Sequence, residues 1–206
     1  MDLTEDLKAS YLLWADRIQS KLREFTEIPR ELYFYELCFC ICTPQSKAAS
    51  AMLVQNQLMK IDFLNNDIDP IEILLAPSNY IRFHNQKAIN LCRIKAQWNT
   101  ISGILYSDLS NVEKRNWLAK NVRGIGYKES AHFLRNIGYR DLAILDRHIL
   151  RNLVSCGVFN EIPKISSANQ YFVVEKKFAE FAGKMNMTMD ELDLLFWSKM
   201  TGCIIK

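Results

Sequence analysis

Glycine and proline are both scarce in this chain of 206 residues, at seven and five residues. An architecture of short strands and tight turns normally needs more of both, because they supply the backbone angles of turns. Hydrophobic residues make up 49% and charged residues 24%, which is ordinary for a globular protein and argues against wholesale disorder. The composition therefore predicts an all-α fold with a substantial buried core.

Several chemical signals are also absent. No two of the six cysteines have CxxC spacing, so the sequence indicates neither a zinc site nor a redox pair. The first ten residues are polar and acidic and do not resemble a signal peptide. The apolar run at 32–42 contains Glu36 and is too short to span a bilayer. We therefore expect an intracellular protein of the cytoplasm or nucleoid that does not enter a membrane.

Helical periodicity accounts for the first part of the chain. Apolar residues recur at steps of three and four over 3–26, which predicts a long amphipathic helix. Residues 31–42 are apolar nearly all round, as in a helix that is buried on every side and is stopped by Pro44. Ser46 is then placed to cap a helix over about 47–60.

Further helices are predicted in the rest of the chain. Helical spacing returns over 80–98, and capping-box sequences at Ser110 and Thr188 begin two more helices, of which Gly202 closes the second. We expect two interlocked helical subdomains built from three segments: N-terminal helices over 1–43 that pack with the C-terminal part, a helical bundle over 44–123, and the C-terminal helices over 124–206.

Basic residues are concentrated between positions 111 and 151. This stretch has nine basic and only four acidic residues, a net charge of +5, although the whole chain carries only +3. The nine are Lys114, Arg115, Lys120, Arg123, Lys128, Arg135, Arg140, Arg147 and Arg151. Such a block suits a phosphate-rich partner, but a pair of solvated helices would show the same bias.

The turn Gly124-Ile125-Gly126 joins two predicted helices inside this basic stretch. Glycine tolerates backbone angles and close approaches that other residues do not, so a tight helical hairpin is expected. The N–H groups at the start of its second helix form an anion site that a DNA phosphate fits without sequence preference. A GxG turn by itself is more often plain structural punctuation.

Two reactive side chains follow the turn. Lys128 lies at the start of the second helix, and Asp146 is placed to cap a helix that begins at Arg147. Each has an ordinary explanation, as a hydrated surface lysine and as a structural N-cap. Together they supply an amine nucleophile, once it is deprotonated, and a carboxylate that capping keeps ionised. This pair suits cleavage of an N-glycosidic bond, in which the carboxylate stabilises charge on the sugar and the amine captures C1′.

The order of these residues resembles that in the helix-hairpin-helix DNA glycosylases of base excision repair. Gly124, Gly126, Lys128, Asp146 and His148 match the family signature one by one. The chain length, the short loop before the aspartate and the terminal lysine are most similar to the archaeal-type (type 2) 8-oxoguanine DNA glycosylase/AP lyases. The resemblance implies a bifunctional enzyme, with a lesion pocket between its subdomains, that acts as a monomer on double-stranded DNA containing 8-oxoguanine and needs no cofactor.

The resemblance also implies roles for individual residues. Lys128 would form a Schiff base with C1′ of the flipped nucleotide, after which β-elimination nicks the strand, and Asp146 would assist the first step. Gly124 and Gly126 would bind backbone phosphate, with a monovalent cation held by the hairpin backbone and no metal held by side chains. The remaining roles are phosphate contacts by Arg147 and His148, base recognition by Trp197, Lys206 and either Phe83 or His84, and filling of the gap left by the flipped base by Gln45.

Alternatives to this interpretation remain open. No group of four cysteines follows Asp146, so we expect no iron–sulfur cluster, which disfavours the branches that have one. Trp197 also fits a core position on an amphipathic helix. A glycosylase of the same superfamily for a different damaged base is one alternative, although Lys128 argues against a monofunctional one. A non-catalytic DNA-binding hairpin is another, and it requires neither Lys128 nor Asp146.

Overall fold

The computed structural model describes residues 3–204. Within that range the chain forms eleven α-helices and two short 3₁₀ helices and no strand, which confirms the predicted all-α class. The helices are α1 (Leu3–Thr26), α2 (Tyr33–Cys42), α3 (Ala48–Lys60), α4 (Ile71–Leu75), α5 (His84–Ala96), α6 (Trp98–Leu105), α7 (Asn111–Asn121), α8 (Tyr127–Asn136), α9 (Arg147–Ser155), α10 (Ala168–Lys184) and α11 (Met189–Thr201). None of the helices in the described range is long and apolar enough to cross a membrane.

Local signals in the sequence explain several helix boundaries. The hydroxyls of Ser110 and Thr188 accept the N–H groups three residues on, and both capping boxes are complete, as predicted. Gly202 ends α11 with a φ of +71°. The helix predicted over 80–98 is present as α5, which begins four residues later, at His84, and α6 was not predicted. Helix α10 was not predicted, although Ser167 caps it by accepting the N–H of residue 170.

The prediction for Ser46 is wrong. Helix α3 begins at Ala48 after Lys47, and no side chain caps it. The Ser46 hydroxyl instead accepts the backbone N–H of Arg82 at 3.0 Å and the ammonium of Lys87 at 3.2 Å. A hydroxyl has only two acceptor lone pairs, and both are used by a segment distant in sequence.

The chain divides into two compact units. The first contains both ends of the chain, up to residue 27 and from residue 134 onward, and in it α11 packs against α1, α9 and α10. The second contains residues 28–133, and in it α2 packs against α3 and α5. The first boundary lies before the expected 43/44 because the apolar helix α2, buried along nearly its whole length, belongs to the second unit. The second boundary lies within α8 and not at the expected 123/124.

Candidate active site

The two glycines of the hairpin have different structural roles. Gly124 has a φ of +101°, and a Cβ atom at this position would lie 2.4 Å from Nδ2 of the buried Asn90 in α5. Gly126 does not have a positive φ, and a Cβ atom there would meet only Oε2 of Glu129, at an ordinary contact distance of 3.4 Å. The expectation that glycine is sterically required is therefore confirmed at Gly124 and wrong at Gly126.

This difference leads to a matched pair of predictions. Gly124→Ala should lower the free energy of unfolding by about 1–3 kcal/mol, because it combines an unfavourable φ with a clash against Asn90. Gly126→Ala should change it by about 0.5 kcal/mol or less. Urea unfolding of both variants at one pH provides the measurement. Equal effects of the two substitutions would contradict these distinct roles in the turn.

The carboxylate of Glu129 links the hairpin turn to Lys128. Its Oε1 lies 2.9 Å from the Lys128 Nζ, and its Oε2 accepts the Gly126 N–H at 3.1 Å. Burial acts to raise the pKa of Glu129, but the Lys128 charge and the Gly126 N–H outweigh burial and lower it. An anionic protein side chain therefore already binds one of the N–H groups predicted to bind phosphate. A DNA phosphate at Gly126 would have to replace it.

Glu129 is the site residue that the sequence analysis missed. It occupies the third position of α8, from which glutamate commonly reaches back to the N–H of the capping residue, here Gly126. The signal was therefore present in the spacing of Gly126 and Glu129. It was hidden because glycine has no side chain to complete the reciprocal capping box.

Lys128 is accessible in a way that suits a nucleophile. Its side chain is 31% exposed, and its amine is held at the N-terminal end of α8 by Glu129. Lys87 is the amine that offers a comparison: burial lowers the pKa of Lys87 to about 8, and the neighbouring Cys42 opposes that shift. The three N–H bonds of the Lys87 ammonium are, however, directed at oxygens of the protein. Exposure thus favours Lys128 as the attacking amine.

Asp146 caps α9, as predicted. Its Oδ1 accepts the N–H of Ile149 at 2.8 Å, and its backbone is extended, with a φ of −85° and a ψ of 173°. The carboxyl group of Asp193 in α11 interacts electrostatically with that of Asp146. Burial raises the pKa of Asp193 to about 6; its ion-pair partner Arg135 opposes the rise, and the charge of Asp146 adds to it. Asp146 therefore interacts with a second carboxyl group, that of Asp193, which is 47 residues away in the sequence.

His148 and Trp197 lie together in the first unit. The ring of His148 packs edge-on against Trp197, with 6.0 Å between centroids, and its Nε2–H donates to the Phe196 carbonyl at 3.0 Å. A neutral imidazole that donates from Nε2 has only a lone pair on Nδ1, so the ring in this form has no second N–H for a phosphate. The indole N–H of the half-buried Trp197 has no acceptor within the described part of the chain.

The second unit contains Phe83 and His84, predicted to contact the base, and Gln45, predicted to fill the gap in the duplex. Phe83 is exposed, has a left-handed φ of +59°, and packs under the guanidinium of Arg82 at 5.2 Å. His84 begins α5 and packs edge-on against Tyr80 at 5.6 Å. Gln45 is exposed and also left-handed, with a φ of +58°. Lys206 lies outside the described residues.

Several of the nine basic residues between positions 111 and 151 are not exposed at the surface. Lys114, Arg115 and Arg135 are buried, and Arg135 forms an ion pair with Asp193. Arg140 is half-buried and donates to the Leu22 carbonyl. The exposed members of the nine are Lys120, Arg123, Arg147 and Arg151. Lys120, Arg123 and the partly exposed Lys128 are the candidates for phosphate contact in the second unit, and Arg147 and Arg151 are those in the first.

Residues 3–204 do not include a group of three His, Cys, Asp or Glu side chains arranged to hold a metal ion. The Gly126 carbonyl of the hairpin accepts the N–H of Ser130 at 2.9 Å, as the first bond of α8. Because this carbonyl already accepts a hydrogen bond, the structure does not favour Gly126 as a ligand for the monovalent cation expected at the hairpin backbone. The proposed reaction does not use that cation.

Comparison with known proteins decides the family. The sequence model of the family described as 8-oxoguanine DNA glycosylase, a helix-hairpin-helix family, matches residues 18–187. The chain belongs to this family. The match includes both glycines of the hairpin, Lys128 and Asp146, so the 8-oxoguanine DNA glycosylase family accounts for the segment on which the resemblance was based.

Whole-length relatives agree with this assignment. The chain is 37% identical to an 8-oxoguanine DNA glycosylase/AP lyase of Fusobacterium nucleatum over 98% of this chain and 96% of the relative. It is 35% identical to that of Methanocaldococcus jannaschii over 98% and 97%. The crystal structure of the Methanocaldococcus jannaschii 8-oxoguanine glycosylase/lyase with a 15mer DNA containing 8-oxoguanine matches with a TM-score of 0.88, at 31% identity over 100% of both chains.

Proposed function

We propose that this protein excises 8-oxoguanine from duplex DNA and then cleaves the strand at the abasic site. The observation that supports this most is the placement of Lys128, a partly exposed amine fixed by Glu129 at the start of the second hairpin helix. The relatives named above are glycosylase/AP lyases, and a lyase of this kind needs an amine that can form a Schiff base.

The proposed first step breaks the N-glycosidic bond. The neutral amine of Lys128 attacks C1′ as the bond to the base breaks and the base leaves with the bonding electrons. Before this attack the Lys128 ammonium must release a proton to water, and its ion pair with Oε1 of Glu129, 2.9 Å away, must separate, because that carboxylate favours the charged form of the lysine. The Asp146 carboxylate, whose Oδ1 accepts the Ile149 N–H, stabilises the positive charge that develops on the sugar.

The second step is the lyase reaction. Opening of the sugar ring gives a Schiff base between Lys128 and C1′. Loss of a proton from C2′ then expels the 3′ phosphate by β-elimination, and hydrolysis of the imine releases the lysine. No redox change and no metal ion is required in this sequence of steps.

We also propose residues that bind the substrate. Trp197, a half-buried aromatic side chain of α11, is proposed to stack on the extruded base. Arg147, exposed at the start of α9, is proposed to contact phosphate. Lys206 and the second aromatic group of the base pocket, Phe83 or His84, complete the proposal, and Gln45 fills the gap in the duplex.

The test is an excision assay on two duplexes that differ at one position, 8-oxoguanine or guanine opposite cytosine. We expect release of free 8-oxoguanine and a strand nick at the lesion, and neither product from the guanine duplex. Binding of the lesion duplex without cleavage would contradict the proposal and would favour the non-catalytic hairpin module. Cleavage only of duplexes with another damaged base would favour a glycosylase for a different lesion.

A further inference from the structure

Lys87 has an unusual environment for a lysine that is not part of the proposed chemistry. It lies in α5, and its side chain is buried, with 6% of the residue exposed. Its ammonium donates to the carbonyl oxygens of Cys42 at 2.8 Å and Pro44 at 2.6 Å and to the Ser46 hydroxyl at 3.2 Å. An ammonium has three N–H bonds, so these oxygens use its full donor capacity.

All three oxygens belong to the end of α2 and the loop that follows it, residues 43–47. Cys42 is the last residue of α2, where carbonyl groups lack helical partners and a positive charge is favourable. Between Pro44 and Ser46 lies Gln45, whose left-handed backbone is uncommon for a residue other than glycine. Lys87 therefore holds the loop on both sides of its strained residue.

The same lysine is connected to a second strained residue. The backbone N–H of Lys87 donates to the Phe83 carbonyl at 3.0 Å, and Phe83 is also left-handed. The Ser46 hydroxyl that accepts from Lys87 also accepts the N–H of Arg82, directly before Phe83. A strained backbone conformation persists only where surrounding contacts fix it. Here Lys87 and the Ser46 hydroxyl bind the segments that contain Gln45 and Phe83.

We propose that Lys87 is a positioning residue that fixes Gln45 and Phe83 in the conformations needed to act on duplex DNA. The inference rests on the proposed function, in which Gln45 fills the gap left by the extruded base. Burial of a lysine against uncharged oxygens lowers the pKa of Lys87 to about 8, so the arrangement opposes the charged form. A methionine would fill this buried volume without that cost, but it would leave the three oxygens without their donor.

The proposal predicts a loss that depends on the second DNA strand. Lys87→Met should reduce the rate of borohydride-trapped adduct formation on a duplex abasic site by about tenfold to 10²-fold, the range that a small misplacement of a positioning group can cost. On a single-stranded abasic oligonucleotide, which leaves no gap to fill, the rate should change by less than about twofold. The ratio of the duplex rate to the single-strand rate is therefore the measured quantity.

Lys95→Met is the matched control. Lys95 lies in the same helix, donates to the Asn66 carbonyl of another loop, and packs over the Phe63 ring at 4.8 Å. It undergoes the same chemical change without touching residues 43–47, so its rate ratio should equal that of the wild type. Gln45→Ala should lower the ratio as Lys87→Met does, and the double variant should be no worse than the more impaired single variant, because both act through one loop.

Circular dichroism shows whether Lys87→Met is folded. If it is not, Ser46→Ala provides a milder test of the same contacts. It removes the link to Arg82 while keeping the charge of Lys87 and two of its acceptors, and it should lower the rate ratio to a smaller extent. Wild-type ratios in the folded variants, or equal losses on both substrates, would overturn the proposal. A wild-type protein that fails to excise 8-oxoguanine would instead refute the proposed function itself.

Discussion

Lys128→Gln is expected to abolish both the borohydride-trapped adduct and the strand nick on an 8-oxoguanine duplex. Glutamine has no amine that can form a Schiff base, so the loss should be at least about 10³-fold, the order that removal of a nucleophile costs in covalent catalysis. The side-chain amide can still donate to Glu129, so the start of α8 should keep its structure. Gel assays of trapped adduct and of nicked strand provide the measurement.

The controls for this result separate chemistry from binding and folding. Lys60→Gln removes an exposed positive charge at the end of α3 and should retain adduct formation. Lys128→Gln should still bind the lesion duplex, because only one phosphate-attracting charge is lost. Adduct formation by Lys128→Gln at the wild-type rate would refute Lys128 as the nucleophile.

Asp146→Asn is expected to slow base release by about 10²- to 10³-fold, as removal of one electrostatic stabiliser of a transition state does in other enzymes. Asparagine caps helices about as well as aspartate, so the free energy of unfolding should change little. The variant therefore removes the charge while keeping the bond to Ile149. Single-turnover release of 8-oxoguanine measures the effect.

Asp146→Ala provides the comparison that separates the two roles of this residue. It loses the cap as well as the charge, so its unfolding free energy should fall by about 1 kcal/mol, while its base release should resemble that of Asp146→Asn. If Asp146→Asn released the base at the wild-type rate, Asp146 would be only a helix cap.

Features encoded in neighbouring residues could be predicted from the sequence. The capping boxes at Ser110 and Thr188 and the N-cap at Asp146 need only short-range spacing, and the structure has all three. The requirement for glycine at Gly124 could be predicted because a tight helical hairpin needs unusual backbone angles and close approaches. Its specific cause, the approach of Asn90 from α5, depends on tertiary packing that local patterns do not contain.

The parts that could not be predicted depend on long-range contacts. Ser46 has the sequence of a helix cap, but Lys87 and Arg82 bind its hydroxyl from about 40 residues away. The net charge of residues 111–151 includes Arg135 as if it were at the surface. In the structure Arg135 is buried and forms an ion pair with Asp193. A charge sum cannot separate these two situations, because sequence does not show which ions are paired inside a core.

The most direct test of the central claim is to locate the covalent bond. The wild-type protein is trapped with borohydride on an 8-oxoguanine duplex, digested with trypsin and nuclease, and mapped by mass spectrometry. We predict that the sugar remnant is attached to Lys128, on a peptide that begins at Gly124. Attachment to another lysine, with the buried Lys87 as the main rival, would contradict the assignment of Lys128 as the attacking amine.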